Sequence, residues 1–489
     1  MPTCSTVVVA TALPAEARRP RPEYQSPDLT LSFHGRGRNF VLELPQIAEA
    51  FGSDIPLRLR DLLEIAAAVY AADIAFRRAE NEAWVRSTRF LIPVREVDLW
   101  RNIEVELAEA LYVLSHDNFS FDFCRRAPPD EGSIRHRLGS RCHSAGASRF
   151  AEADCVSLLS GGIDSFAGAA MLLAAERNPL FVAHRSQNPM IVASQEHVCR
   201  CLAEAFGKPI RFVPVNCGPL RGGRAAGDRE GNPHPRPFSH PAVRRGTAGE
   251  RGDDDTACYP YPLPEERETS QRTRSFLYMA LGAIACHAAG ADQLLCPENG
   301  VLAVNLPLTE ARIGGYSTAG ARPQTLAGFQ RLLAALELPV RIENPFLYQT
   351  KGQVVRDVLR PYFPPEAIQG TVSCWMAGRL SRPCGACIPC LVRAVAMRTA
   401  GLPPEAHAVD PFSTGAEVGP ESAARANLVD LLTLVGRLRR LSDRELLRAY
   451  PMLLEMAPSA NVTAVVRMLR RFAEEVSEAL GEPEFGAVS

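Results

Sequence analysis

No run of about eighteen or more apolar residues occurs in the chain, so the sequence offers no candidate for a membrane-spanning helix. Net charge is nearly absent as well. Against 55 Asp and Glu stand 54 Lys and Arg, leaving −1 at pH 7, and this bulk balance indicates neither nucleic acid nor an anionic membrane as partner. The opening Met1 to Ala10 lacks a basic segment before its short apolar run, so a signal peptide is not expected and the protein is expected in the cytoplasm. There the 14 cysteines, apart from one cluster of four, read as reduced thiols and small buried hydrophobes. What the chain does have is length: 489 residues with 46% hydrophobic side chains support two or three domains and at least one full core.

Within that length, Val156 to Leu159 has strand character and stops abruptly at Ser160-Gly161-Gly162, with a helix opening near Asp164. Two glycines let the backbone turn tightly and bring N–H groups against an anion, while the helix start adds roughly half a positive charge. Ser160 and Ser165 supply hydroxyls, and Asp164 can cap the helix or organise a magnesium-bound phosphate. The run Ser160-Gly161-Gly162-Ile163-Asp164-Ser165 resembles the PP-loop of ATP pyrophosphatases, which cleave ATP between the α- and β-phosphates. An ordinary Gly-rich strand-to-helix turn is the alternative for these residues taken alone.

A second signal lies roughly two hundred residues on, at Cys374-x9-Cys384-x2-Cys387-x2-Cys390. Two residues between thiols let a turn aim both sulfurs at one centre, and Gly385 permits the backbone angles this requires. Four thiolates with no open position describe structural zinc. A disulfide pair, a redox Cys-x-x-Cys or an iron–sulfur cluster are the alternatives.

The two motifs in this order resemble the 7-cyano-7-deazaguanine synthase (QueC) family, a PP-loop branch with a four-cysteine zinc site. Arg272-Thr273-Arg274-Ser275-Phe276-Leu277, Gly290-Ala291-Asp292, Thr350-Lys351-Gly352 and Thr371-Val372-Ser373-Cys374 resemble further segments of that family, so the likeness covers roughly residues 153 to 400. Two features depart from it. The segment that holds the deazapurine in the biosynthetic enzymes reads here as Arg312-Ile313-Gly314-Gly315-Tyr316-Ser317-Thr318-Ala319-Gly320-Ala321-Arg322-Pro323, and Pro297-Glu298-Asn299-Gly300 replaces the usual strand-end sequence. With its own N-terminal domain, the pattern is most similar to the synthase-like QatC proteins of bacterial anti-phage defence systems.

The coarse order from residue 153 onward is strand, helix, strand, helix, which means a doubly wound parallel sheet with its ligand beyond the C-terminal strand ends. The expected architecture is therefore α/β: residues 1–125 a mixed α/β domain, 126–152 a flexible linker, 153–400 the adenine nucleotide α-hydrolase-like PP-loop domain with a flexible insertion at 219–258 and the zinc site at 374–390, and 401–489 a C-terminal helical region. The insertion carries Arg221, Arg224, Arg229, Arg244 and Arg245, for which contact with ATP phosphates is the alternative to the favoured reading as solvated loop residues; Asp253 to Asp255 read as solvent-facing. In the N-terminal domain, Asp73 and Arg77 are expected to pair across the surface of a helix over 57–77, a contact worth a few tenths of a kcal/mol.

The resemblance implies ATP and Mg2+ at Leu159, Ser160, Gly161, Gly162, Asp164, Ser165 and Arg272, with Glu298 and Asn299 following another strand end into the same crevice. It implies chemistry at Ser160, Asp164, Ser165 and Lys351, and Zn2+ at Cys374, Cys384, Cys387 and Cys390. A deazapurine carboxylate, 7-carboxy-7-deazaguanine or similar, would be adenylated and passed to a nitrogen nucleophile, either ammonia or an amine on a protein partner of a defence system. Two other classes are a PP-loop sulfur transferase acting on transfer RNA and a non-catalytic nucleotide-binding scaffold.

Overall fold

Short β-branched and apolar runs separated by helices build two sheets rather than one. The computed structural model describes residues 6–10, 24, 26–33, 38–42, 44–51, 55–78, 85–126, 150, 152–185, 188–220, 261–268, 270–308, 319–377, 382–412 and 423–481. The expected linker 126–152 and insertion 219–258 lie almost wholly outside these residues, as does the stretch from Arg312 to Thr318.

The first sheet is parallel, in the order β2-β1-β4-β5, from β1 (Thr6–Ala10), β2 (Leu29–Leu31), β4 (Ser87–Val94) and β5 (Asn118–Arg125). The intervening β3 (Phe40–Leu42) leaves this sheet and pairs antiparallel with β8 (Phe212–Pro219), at the edge of the second. That second sheet runs β10-β9-β6-β7-β8-β3, with β6 (Cys155–Leu158), β7 (Pro179–Arg185), β9 (Gln293–Leu295) and β10 (Arg341–Glu343) parallel to one another and to β8. From β6 the chain winds outward through β7 and β8, then returns to the other side of β6 to lay down β9. The strand order thus reverses between β6 and β9, the position beyond whose C-terminal strand ends doubly wound sheets hold their ligands.

Helices α1 (Leu44–Phe51), α2 (Leu57–Ala75), α3 (Val97–Asn102) and α4 (Glu104–Ser115) belong to the N-terminal segment. Helix α2 is buried on nearly every side and packs against α7 (Arg274–Ala289), so one hydrophobic core runs from Val8 to Ile342 across both sheets. The N-terminal segment and the segment from residue 153 onward therefore share a strand pair and a core.

Burial of α2 takes its acids out of water, and each finds cations. Asp61 and Glu64 meet Arg95, and Glu64 also meets Arg126. Asp73, expected on the surface opposite Arg77, is instead buried: it pairs with Arg86 and accepts from Thr273 N at 2.8 Å and Thr273 Oγ1 at 3.0 Å. The apolar spacing of α2 was compatible with one buried face, but a helix between two sheets has no solvent face. Burial opposes ionisation of the nearby Asp117, yet the bonds and charges of Arg78 and Arg86 outweigh it and hold its carboxyl below the usual range. Asp73 thereby ties the N-terminal unit to the start of α7.

The C-terminal region is a bundle of α13 (Ala423–Arg440), α14 (Asp443–Ala449) and α15 (Val462–Leu480), whose apolar faces form a separate core with α8 (Gly300–Val304) and α12 (Ile388–Thr399). Arg470 donates to Leu438 O and Leu441 O, closing the end of α13, and Arg439 donates to Ser477 Oγ. Among the described residues no helix is long and apolar enough to cross a membrane.

Removing one member of a buried ion network strands its partners, which costs about 3–5 kcal/mol out of the 5–15 kcal/mol a domain has available. Asp73→Ala is expected to cost about that much in urea unfolding; a loss under about 1 kcal/mol, the scale of an exposed pair, would contradict the buried assignment.

Candidate active site

Beyond β6 the chain enters Ser160-Gly161-Gly162 and then α5 (Ile163–Ala174). Gly161 has φ +88°, and a Cβ there would lie 3.0 Å from Gln195 N and 3.2 Å from Ser194 Oγ. Only glycine fits without strain, because the backbone is both left-handed and pressed against α6 (Pro189–Phe206). Ser194 Oγ donates to Gly161 O at 2.6 Å, while Ser160 and Ser165 lie with their hydroxyls 3.1 Å apart and Ser165 Oγ donates to Gly162 O at 3.0 Å. The loop is thus fixed from beneath, with Ser160 exposed toward the crevice.

Asp164, in the first turn of α5, is buried and meets Lys351 Nζ at 2.5 Å through Oδ2. Lys351 begins α10 (Lys351–Gln353), which Thr350 and Gln353 cap reciprocally and which continues as a π-helical turn over Val354–Leu359. Asn299 donates both to Asp164 Oδ2 at 3.2 Å and to Glu298 Oε1 at 3.1 Å, and its Oδ1 accepts from Leu302 N to cap α8. Asn299 therefore combines a structural cap with a place in the polar cluster. Burial, then the Asp164 charge, pushes the Glu298 carboxyl well above the ordinary range, with Lys351 offsetting part of the effect. Among the described residues the buried Oδ1 of Asp164 has no hydrogen-bond partner, a costly arrangement that a cation would relieve.

The structure thus brings Ser160, Gly161, Gly162, Asp164, Ser165, Glu298, Asn299 and Lys351 to the reversal between β6 and β9. Two expected residues lie differently. Leu159 is buried in the core beneath the loop, its N–H donating to Val182 O. Arg272 is buried at the start of α7, where Nη1 donates to Ser115 O at 3.1 Å, and burial followed by the neighbouring Arg78 charge lowers its guanidinium to about 10.

A second polar group surrounds the first turn of α9 (Pro323–Ala335). Arg322, its N-cap, is 6% exposed; among the described residues Nε has no partner, and Nη2 makes a long 3.5 Å contact with Asn305 O. Gln324 Oε1 and Thr325 Oγ1, in the first turn, are likewise buried without partners among the described residues. Burial lowers Arg322 to about 10, and burial with the Arg322 and Arg272 charges lowers the imidazole of His116. Arg322 was legible only as part of an altered segment, and nothing in sequence marked Gln324 or Thr325.

The four cysteines converge, their sulfurs all within 4.8 Å of one another and Cys384 Sγ 3.9 Å from Cys390 Sγ. Met376 N and Cys384 N donate to Cys374 Sγ, and Ala386 N and Cys387 N to Cys384 Sγ, at 3.3 to 3.4 Å. Such N–H donors favour thiolates, so the cluster can bind a metal ion with no open position. Its lead-in reaches the loop: Val372 N donates to Ser194 Oγ at 3.1 Å and approaches Gly161 O at 3.4 Å. Arg393, on α12 just past Cys390, locks this passage by donating to Thr371 Oγ1, Ser373 Oγ, Ile368 O and Gln369 O and pairing with Glu405.

Comparison with known proteins finds a match to a 7-cyano-7-deazaguanine synthase of Synechococcus sp. (strain CC9902), 34% identical over 137 residues. That match supports a QueC-like family for the chain. It covers 27% of this chain and 53% of the other, so the chain spans about half the length of the curated relative it matches. No family model matches the chain.

Because Val372 joins the cysteine cluster to the loop, Cys387→Ser is expected to remove bound metal and also to speed amide exchange at Val372 and Gly162. Metal loss with unchanged exchange at both amides would refute the coupling.

Proposed function

We propose that the protein is an ATP-dependent ligase of the 7-cyano-7-deazaguanine synthase type, which adenylates a deazapurine carboxylate and passes the acyl group to a nitrogen nucleophile. The observation that carries this reading is the Lys351–Asp164 pair beside the Ser-Gly-Gly loop at the reversal of strand order. ATP lies with its phosphates against the N–H groups of Gly161 and Gly162, the hydroxyls of Ser160 and Ser165, and Lys351. Magnesium suits the partnerless Oδ1 of Asp164 with Glu298 beside it, a hard oxygen site, and its charge would offset that of the triphosphate. Positive charge and N–H dipoles fixed in advance favour the leaving pyrophosphate, where charge builds as the α-phosphorus is attacked.

In the first step an oxygen of the substrate carboxylate attacks the α-phosphorus and the bond to the β-phosphate oxygen breaks, leaving acyl-adenylate and pyrophosphate. In the second, a nitrogen lone pair attacks the acyl carbon and AMP leaves, giving an amide. With ammonia and a second ATP the amide would go on to the nitrile; with an amine on a protein partner, in an anti-phage defence system, the amide is the end point. The acid's ring is assigned to the first turn of α9. Arg322, Gln324 and Thr325 offer a donor, an acceptor and a hydroxyl there, and α8, capped by Asn299 at one end and Asn305 at the other, spans about 9 Å between that turn and Asp164. Four-coordinate zinc is the metal that four thiolates at these separations suit.

Sulfur transfer needs a reactive thiol at the loop. Cys296, at the end of β9, is buried and burial pushes its thiol up to about 12, which leaves almost no thiolate at neutral pH.

With ATP, magnesium and 7-carboxy-7-deazaguanine, acid-dependent release of AMP and pyrophosphate is expected, abolished by Asp164→Ala and reduced at least about tenfold by Lys351→Arg, a transition-state loss of about 1.4 kcal/mol. Arg322→Ala is expected to raise the KM for the acid while leaving ATP affinity unchanged. Release of AMP at the same rate with and without the acid would overturn the reading.

A further inference from the structure

We infer that Glu475, on helix α15 of the C-terminal bundle, is a positioning residue that sets Lys351 against the Ser-Gly-Gly loop; the inference rests on the reading of that loop as the ATP site. Glu475 is buried, and its Oε1 accepts from Thr350 Oγ1 at 2.5 Å. Thr350 is the N-cap of the helix that begins with Lys351, and its Oγ1 accepts in turn from Gln353 N at 3.1 Å. The carboxylate also lies directly over the next residue. A Cβ on Gly352 would come within 2.8 Å of both Glu475 oxygens and 2.7 Å of Thr399 Oγ1, so this approach is open only to glycine. An unbroken path therefore runs from the bundle through Glu475, Thr350 and Lys351 to Asp164 and the loop.

The chemistry of the cap gives the path a direction. An ionised Glu475 only accepts, so the Thr350 hydroxyl must donate to it, and the threonine oxygen keeps its lone pairs for Gln353 N. With a neutral Glu475 the bond from Thr350 loses its charge assistance, and the less polarised threonine oxygen is a weaker acceptor for Gln353 N. Ionisation thus tightens the first turn that aims Lys351. Burial pushes the Glu475 carboxyl up to about 7, against the opposing bond from Thr350 and the charge of Arg356. The charged groups around it are Arg356 on the π-helical turn and Glu478 and Arg471 on its own helix; on α12, Arg398 donates to Ala479 O one turn further on. The folded protein holds a proton on Glu475 that the unfolded chain releases between the ordinary carboxylate range and about 7. Stability contributed by that proton is present at low pH and lost as pH rises through this window, and a buried site is then left to ionise at the pH where the cap needs it.

The chain's lysine usage provides a direct readout, because Lys208 and Lys351 are its only lysines. Protein carrying 13C at the lysine ε-carbon should give two signals, with Lys208→Arg assigning the one from Lys351. In the wild type the Lys351 signal is expected to shift with a midpoint near pH 7, and in Glu475→Gln that inflection should vanish while thermal unfolding confirms a folded chain. Affinity for α,β-methylene-ATP with magnesium is expected to rise at least threefold from pH 6 to pH 8 beyond any rise in Glu475→Gln, and Glu475→Asp should restore part of the difference. An inflection unchanged in Glu475→Gln, or none near pH 7 in the wild type, overturns the inference. Nucleotide that fails to bind the wild type at any pH overturns the reading of the loop, and the Lys351 titration still decides the role of Glu475.

Discussion

The ion pair between Lys351 and Asp164 is the constraint on which the rest of this molecule converges. A buried ammonium and carboxylate gain little net stability from each other, since desolvation consumes most of the attraction, yet removing either strands the other. Such a pair is retained where two chain segments must meet in one register. Here the segments are the first turn of α5, carrying the loop, and the first turn of α10, almost two hundred residues later. The choice of lysine is informative in a chain whose cations are otherwise almost all arginine. A compact charge with three rotatable donors can serve a carboxylate and a phosphate in turn, whereas a planar guanidinium favours one bidentate geometry.

Three surrounding structures hold that register. From beneath, Ser194 and Gln195 press on Gly161, a position with no room for a side chain. On one flank, the passage leading to Cys374 bonds to Ser194, and Arg393 ties it to the helix that carries Cys390, so a metal ion at the four thiols would stiffen the loop without touching nucleotide. At the back, α15 reaches the cap of α10 through Glu475. The cysteine cluster and the C-terminal bundle thus support the same loop and lysine.

The parallel sheet, its order of strands and helices and the convergence of four cysteines were legible in the sequence because each is written locally: alternation of apolar runs, a Ser-Gly-Gly stop, a two-residue spacing of thiols. Contacts between distant segments were not. Phe40 to Leu44 reads as an ordinary strand, and only the fold reveals that Phe40–Leu42 pairs with β8 rather than with β1 or β2. Asp73 looked like a surface acid because helical spacing cannot tell one covered face from two, and its partners Arg86 and Thr273 come from elsewhere in the chain. Arg272 carries a family-like motif but sits against Ser115, and Glu475 carries no motif at all. Glu298 and Asn299 were legible as polar residues after a strand end, and their shared bond to Asp164 depends on the return of the chain to β9.

Whether the loop activates a carboxylate is settled most directly by the fate of an oxygen atom. When 7-carboxy-7-deazaguanine labelled with 18O in its carboxyl group is turned over with ATP and any competent amine, one labelled oxygen is expected in the AMP released, because the acyl–oxygen bond breaks after the α-phosphorus has been attacked. Unlabelled AMP, or label appearing in inorganic phosphate beside ADP, would contradict adenylation at this site.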